Sequence, residues 1–290
     1  MNLLIVAACE FVTNTAVHPL NVARFMQDRG VECAVSFRSD DNNVRPAGAW
    51  RFRICDHAET AHDGVLFPDG RGPDLAHAWT PREHVRRVTE RVVERYSCPY
   101  VVHLEDNEEV ILADILGPFD PRHLSRLPIQ RTDAIVSPYL SHPLRYRWFM
   151  ERAVGVTALI DKLMEFKPAA IPGVVFWPGL DERILTSAGK REDYGIEPNE
   201  HILVYNGNIH LSNAEEVSNL IDAVGSLRRR GVPVTLIKTG ANHAAHEKLK
   251  QAQAQGIPID LGFVPRAEIE TLPGVADVLV QPGKASHFND

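Results

Sequence analysis

The chain has 290 residues, 44% of them hydrophobic and 24% charged, with a formal net charge of −7. That is the composition of a soluble globular protein with enough chain for one large core or two ordinary ones, and the negative balance argues against a protein that coats nucleic acid. The four scattered cysteines (Cys9, Cys33, Cys55, Cys98) include no C-x-x-C pair, which argues against zinc or a disulfide framework and suits a reducing cytosol.

Leu3 to Ala8 is a continuous apolar run, as expected of a central parallel strand covered on both faces. No positive charge precedes it and no long apolar region follows, so it reads as a strand and not as a signal peptide. No apolar run reaches the ~18 residues of a spanning helix. Cys9 to Val17 is a predicted loop. His18-Pro19 then starts a helix with proline at its first position, and Gly30 closes it. Val31 to Phe37 is the next strand and completes a βαβ unit. Residues 38–72 are polar and carry only short strand candidates. Asp74 to Trp79 is a strand, after which Thr80-Pro81-Arg82-Glu83 reads as a capping box. Val85, Val88, Val92 and Val93 mark the buried face of the helix that follows. Tyr100 to Leu104 is a strand that runs into Glu105-Asp106-Asn107-Glu108-Glu109. Residues 117–143 are proline-rich and yield no assigned element. Val154 to Ile160 and Val174 to Trp177 are strands, with a short helix at Asp161 to Phe166 between them.

The second half is more regular. Strands are predicted at 201–206, 234–239, 259–264 and 277–281, and helices near 213–230, 243–255 and 266–272. Val217, Leu220, Ile221, Val224 and Leu227 form one helical stripe that Gly231 closes. The stretch from His201 to Gly240 is strand, glycine turn, helix, strand, with the turn where such units bind phosphates. Together with the unit that opens at Asn2, it predicts an α/β chain of two Rossmann-like domains, 1–176 and 177–290, facing a cleft. The sequence stops at Lys284 to Asp290, just past a strand and before any covering helix. A parallel strand needs both faces covered, so the second domain is expected to be incomplete and the natural protein to continue.

Four segments together resemble the family-4 glycosyltransferases of GT-B fold. Asp28 to Val35, DRGVECAV, resembles the family's "rGheV" approach to its second strand. Val175 to Asp181, VFWPGLD, resembles the "viPnGvD" linker. Leu203 to Asn208, LVYNGN, resembles the "yvGr" turn. Leu261 to Val264, Glu268 and Ala276 to Pro282 resemble "lGfv…e…aDvlvlPs". The resemblance implies a metal-independent transferase without cofactor that retains anomeric configuration. Its donor would be a nucleotide-sugar and its acceptor a glycan, lipid or small molecule, in cell-surface glycan or glycoconjugate synthesis. It implies a cytoplasmic, membrane-peripheral location. Two departures stand out. The family's Arg and Lys on the donor diphosphate are here Asn208 and Asn213. Charge-assisted bonds are worth roughly 1.5–3 kcal/mol each, so losing both without replacement weakens donor binding by about two to four decades. The family's E-x7-E motif would lie beyond Asp290.

Candidate sites follow from strand ends. Gly207, with Asn208 and Asn213, is the donor-phosphate candidate, through backbone N–H groups and a helix dipole. Its plainer reading is an ordinary turn with a capping box, Ser212 with Glu215 or Asn213 with Glu216. Lys238-Thr239-Gly240 ends a strand on the same rim, where a lysine suits a phosphate; the plainer reading is an exposed strand-end lysine. Phe263 and Val264 suit a nucleotide base, or are simply core. Glu105 and Asp106, with His103, are the catalytic candidates: the transferase reaction needs charge beside an oxocarbenium-like state. They also read as a solvated acidic loop or helix cap. The acceptor-side loop offers Glu10, Thr13 and Asn14. Arg82, Arg86, Arg87, Arg91 and Arg95, with Arg145-Tyr146-Arg147-Trp148, suit peripheral contact with an anionic membrane or a lipid phosphate, or form a solvated face. Thirteen histidines show no H-E-x-x-H pattern, and no metal site is expected. Nucleic acid is not an expected partner. The alternatives to a transferase are a non-catalytic nucleotide-sugar or partner-binding module and a nucleotide-sugar epimerase of the same fold. An NAD-dependent reductase is disfavoured, since neither first loop carries G-x-G-x-x-G.

Overall fold

The computed structural model describes residues 1–10, 14–39, 50–117, 121–177, 189–209, 213–243 and 247–282. The chain forms two compact units, Met1–Gly179 and Leu180–Asp290.

Unit 1 begins with β1 (Asn2–Glu10), a 3-10 turn (Asn14–Ala16), α1 (Val17–Gln27) and β2 (Glu32–Arg38). β3 (Arg53–Asp56), α2 (His57–His62), β4 (Leu75–Trp79), α3 (Glu83–Tyr96) and β5 (Tyr100–Leu104) follow. Four helices come next, α4 (Glu108–Leu116), α5 (Pro121–Leu124), α6 (Ile129–Ile135) and α7 (Arg145–Glu151). β6 (Gly155–Ala158) and β7 (Gly173–Val175) complete the sheet, with a 3-10 helix at Asp161–Phe166 between them. The strand order is β3-β2-β1-β4-β5-β6-β7, and each pairing is parallel. Winding reverses between β1 and β4, which makes their carboxyl ends the switch point where α/β sheets hold ligands. β1 is buried on both faces, as its apolar run predicts. Leu4 and Val6 pack with Val85, Val88 and Val92 of α3. Leu3 and Ile5 pack on the opposite face with Leu20 and Ala23 of α1.

Two local expectations are corrected. Thr80 is not a helix cap: its φ is 82°, and its N–H donates to the His103 carbonyl at 3.0 Å, which extends the β4–β5 ladder past the strand end. The helix starts three residues later, and Glu83 pairs with Arg86 and Arg145 instead of closing a capping box. Residues 117–143, unreadable in sequence, include α5 and α6, which close on a small core of Leu112, Leu124, Val136 and Leu140.

Unit 2 is built from β8 (His201–Asn206), α8 (Ala214–Arg229), β9 (Val234–Thr239), α9 (Glu247–Ala254), β10 (Ile259–Asp260), α10 (Arg266–Thr271) and β11 (Val278–Leu279). The order β10-β9-β8-β11 is again parallel, with its switch point between β8 and β11. The predicted stripe of α8 packs on one face through Val217, Ile221 and Val224. β10 is shorter than the predicted 259–264. Asp260 turns the chain by accepting from the Gly262 N–H at 3.0 Å, and Gly262 takes a left-handed φ of 62°.

Asp260 also explains a buried lysine. Lys238 is fully buried, and its Nζ donates to the carbonyls of Thr239 (3.1 Å) and Gly240 (2.7 Å) and to Asp260 Oδ1 (3.3 Å). The second Asp260 oxygen accepts from Asn242 (2.9 Å) and Gln253 (2.6 Å). Burial alone would disfavour the ammonium; the Asp260 carboxylate opposes that effect. Asp260→Ala removes that counter-charge and is expected to destabilise unit 2 by about 3 kcal/mol. Hydrogen exchange in β8, β9 and β10 should accelerate, and unchanged protection there contradicts the role.

Candidate active site

The carboxyl rim of the unit 1 sheet gathers aromatic and acidic groups. Trp79, His103 and Thr157 are lateral neighbours across β4, β5 and β6. The Trp79 and His103 rings lie 4.1 Å apart, and Phe176 lies 4.9 Å from the imidazole. The Thr157 hydroxyl bridges His103 Nδ1 at 2.8 Å and His77 Nε2 at 3.1 Å. Burial holds His77 down to about 4 and His103 well below the usual imidazole range, so both are neutral at pH 7. His103 Nε2 is buried with no hydrogen-bond partner among the described residues. Thr80 Oγ1 shares that condition. A β-branched residue with a left-handed φ is strained, and such strain clusters at functional sites.

Glu105 follows β5 and is 6% exposed. Burial pushes its carboxyl up to about 7. The Trp79 indole and Arg82 oppose the rise, and Asp106 and Glu108 add to it. Arg82 directs its guanidinium elsewhere, to Asp106 Oδ2 at 3.0 Å and to both Glu108 oxygens at 3.2 Å. Ser141 donates to Glu108 at 2.9 Å. The adjacent carboxylates therefore differ. Asp106 anchors the loop through an ion pair, whereas Glu105 is an acid poised near neutrality, the property expected of proton transfer or charge stabilisation.

Of the acceptor-side candidates, Glu10 ends β1 and Asn14 opens the 3-10 turn. Thr13 lies outside the described residues. Sequence reasoning missed His84, whose ring nitrogens lie 3.0 Å from the Ala8 carbonyl and 2.9 Å from that of Pro138, at the β1–β4 switch point.

In unit 2, Gly207, Asn208, Asn213, Thr239 and Gly240 come together. Asn213 Nδ2 donates to the Tyr205 hydroxyl and to the Asn208 carbonyl, both at 3.0 Å. Tyr205 Oη donates to the same carbonyl at 2.7 Å, and Asn208 Oδ1 accepts from the Ala241 N–H at 2.8 Å. Thr239 Oγ1 donates to Asn206 at 2.6 Å. A Cβ at Gly240 would lie 2.6 Å from the Gly207 carbonyl oxygen, so the two turns touch backbone to backbone. The Asn213/Glu216 capping box does not form: Asn213 occupies the N-cap of α8 without a capping bond, its amide being engaged by the turn. Ser212 lies outside the described residues. Lys238 is corrected from a rim cation to a buried brace beneath the rim, because Asp260 and two carbonyls hold its Nζ. Phe263 and Val264 part company: Phe263 is 78% exposed and Val264 is buried.

The arginine-rich face of α3 and α7 is mixed in sign. Arg87, Arg91, Arg147 and Arg152 each have a carboxylate within 4.0 Å, those of Glu83, Glu94, Glu109 and Glu90. Among the described residues, no helix is long and apolar enough to cross a membrane. No three His, Cys, Asp or Glu among them group as a metal cage.

No protein-family model matches the sequence, and no curated protein matches it. Solved structures do. An alpha-glucosyltransferase in complex with UDP and a 13-mer DNA matches with a TM-score of 0.58 at 12% identity, over 98% of this chain and 72% of that one. A trehalose-6-phosphate synthase, studied for glycosyl transfer with retention, matches with a TM-score of 0.51 at 11% identity, over 97% and 77%. An E. coli trehalose-6-phosphate protein bound with UDP-2-fluoro glucose matches with a TM-score of 0.53 at 10% identity, over 97% and 78%. These likenesses show the fold, Rossmann-like units of GT-B architecture.

Glu105 sets a pH dependence. Below its ordinary value of 4.5 the carboxyl is neutral folded or unfolded; between 4.5 and about 7 only the unfolded chain has released the proton, so stability falls as pH rises, and above about 7 the loss is complete. Glu105→Gln removes this term. The variant is expected to gain up to roughly 3 kcal/mol on the wild type between these limits. Urea unfolding at pH values across the window checks it; a constant difference contradicts the assignment.

Proposed function

We propose that the protein is a glycosyltransferase that takes its sugar from a nucleotide-sugar and retains anomeric configuration, with metal-independent chemistry. The observation that carries the reading is the unit 2 rim. A glycine turn ends β8 at the switch point, and behind it stands a 16-residue helix whose N-cap side chain makes no capping bond. First-turn N–H groups and the helix dipole suit a diphosphate there. The solved neighbours that hold UDP and UDP-2-fluoro glucose support the same reading.

The chemistry is assigned to named groups. The Gly207 turn and the first turn of α8 bind the diphosphate and take up the charge that develops on the leaving group. Phe263, exposed on the neighbouring turn, offers a face for the base. Glu105, as carboxylate, stabilises positive charge on the transferring sugar; as acid, it donates to a sugar oxygen. His103 is neutral and orients a hydroxyl through Nε2. The acceptor, a glycan, lipid or small molecule, enters beside β1 and its loop at Glu10 to Asn14. Cytoplasmic residence and a role in glycan synthesis belong to this proposal.

A binding module without turnover is the second reading. It is favoured by the engagement of Asn208, Asn213 and Lys238 within unit 2, where the family resemblance places cations or looks for replacements.

Thermal shift with UDP, GDP, ADP and their sugars tests binding. At a hundredfold excess over Kd, one nucleotide series should stabilise the protein by about 2.7 kcal/mol. Gly207→Ala should abolish the shift, since its Cβ would meet the buried Tyr205 hydroxyl at 2.9 Å and dislodge the turn. Transfer to an acceptor supports the enzyme, stabilisation without turnover supports the module, and no shift with any nucleotide contradicts both.

A further inference from the structure

The first turn of a helix leaves its backbone N–H groups without partners inside the helix. In α3 a distant segment supplies them. Glu83 N–H donates to the Leu140 carbonyl at 3.1 Å, and His84 N–H donates to the Pro138 carbonyl at 3.0 Å. Residues 138–140 thus form a strap fixed to the start of α3. Leu140 anchors the strap in the small core with Leu112, Leu124 and Val136. Tyr139 stands out from it, 51% exposed, with the Arg38 guanidinium of β2 4.3 Å from its ring.

The His84 side chain joins this strap to β1. Its Nδ1 lies 2.9 Å from the Pro138 carbonyl oxygen and its Nε2 3.0 Å from that of Ala8. Both partners are acceptors. A neutral imidazole has one N–H, so it bonds one carbonyl and turns a lone pair on the other; an imidazolium bonds both. Pro138 is also held by the His84 backbone N–H, so the contact that depends on the second proton is the one to Ala8. Ala8 lies two residues before the end of β1, where the register of β1 on β2 shifts between Val6 and Glu10.

The surroundings decide when that proton is held. Burial, Arg82 and Arg38 resist the imidazolium and the two carbonyls favour it; the balance holds the ring below the ordinary imidazole value of 6.5. His57 of α2 lies 5.5 Å away, ring to ring, and burial holds it down to about 3. Tyr139 of the strap lies 5.5 Å away, ring to ring.

We propose that His84 is a proton-operated clasp on the acceptor-side rim: as imidazolium it ties the end of β1 to α3 and its strap, and as neutral imidazole it releases that end so that an acceptor can pass beside it. The clasp stands on the two carbonyl contacts; its use by an acceptor rests on the function proposed above.

Hydrogen exchange of the Cys9 and Glu10 amides, corrected for the intrinsic pH dependence of exchange, reads the clasp. In the wild type it is expected to slow by about tenfold as pH falls from about 8 to about 5, the effect of gaining one charge-assisted bond. His84→Gln offers one side-chain amide and gains no charge, so its corrected exchange should be flat. Glu105, which titrates near about 7, is intact in that variant. A pH response that survives in His84→Gln therefore belongs to another group and overturns the proposal, as does wild-type exchange that ignores pH. If His84→Gln does not fold, Glu105→Gln serves: its exchange must still slow as pH falls, and loss of the response there overturns the proposal. In a transfer assay the acceptor KM should rise by about tenfold over the same fall in pH and stay constant in His84→Gln. Exchange as described with a KM that ignores pH overturns the gate. Exchange as described in a protein that transfers no sugar supports the clasp and counts against the transferase reading alone.

Discussion

A parallel strand can be followed by a parallel neighbour only if the chain first returns across a face of the sheet, so every loop leaving a carboxyl end lands on one rim. Both sheets obey this constraint in each recorded pairing. Each reverses its winding once, between β1 and β4 and between β8 and β11. The reversal parts two loops that would otherwise close over the rim, and a ligand can enter there. Glu105, Thr80 and the Gly207 turn are all strand-end residues for this reason. Their positions follow from the winding of the chain before any side-chain chemistry is considered.

The two rims use their polar residues differently. In unit 2 the side chains of Asn208, Asn213 and Tyr205 bond to one another and to backbone, that of Thr239 donates to Asn206, and Lys238 with Asp260 braces them from below. In the proposed function, backbone amides are what hold the anion at this rim. Rigid amides suit an anion whose shape is constant, as a diphosphate is. In unit 1 the side chains themselves face the problem. Arg82 neutralises Asp106 and Glu108, and Glu105 stays buried at the edge of ionisation. A group poised between charged and neutral suits a step in which charge appears and disappears.

The fold was largely legible in the sequence. The apolar run of β1 required burial on both faces, and the period of Val217, Ile221 and Val224 required a helix on a sheet. Strand ends marked Glu105 and Gly207 as candidates because chain direction alone places them at the rim. Pairings over long sequence distances were not legible. Lys238 in Val-Thr-Leu-Ile-Lys-Thr reads as a strand-end cation until Asp260, on another strand, is seen to hold it. Thr157 gives no signal in its own segment, since its role arises only when β6 lies beside β5. Thr80 matches a capping box in every letter, yet the β4–β5 ladder claims its N–H first. At Thr80 a tertiary bond outcompeted a local capping preference of about 1 kcal/mol.

The central claim is that the Gly207 turn and the first turn of Ala214–Arg229 hold a nucleoside diphosphate. A crystal structure of the protein grown with the nucleotide that stabilises it most is the direct measurement. The account predicts phosphate oxygens within hydrogen-bond distance of backbone N–H groups in that turn and at that helix start. Nucleotide bound at another part of either sheet, with the Gly207 turn unoccupied, would contradict it.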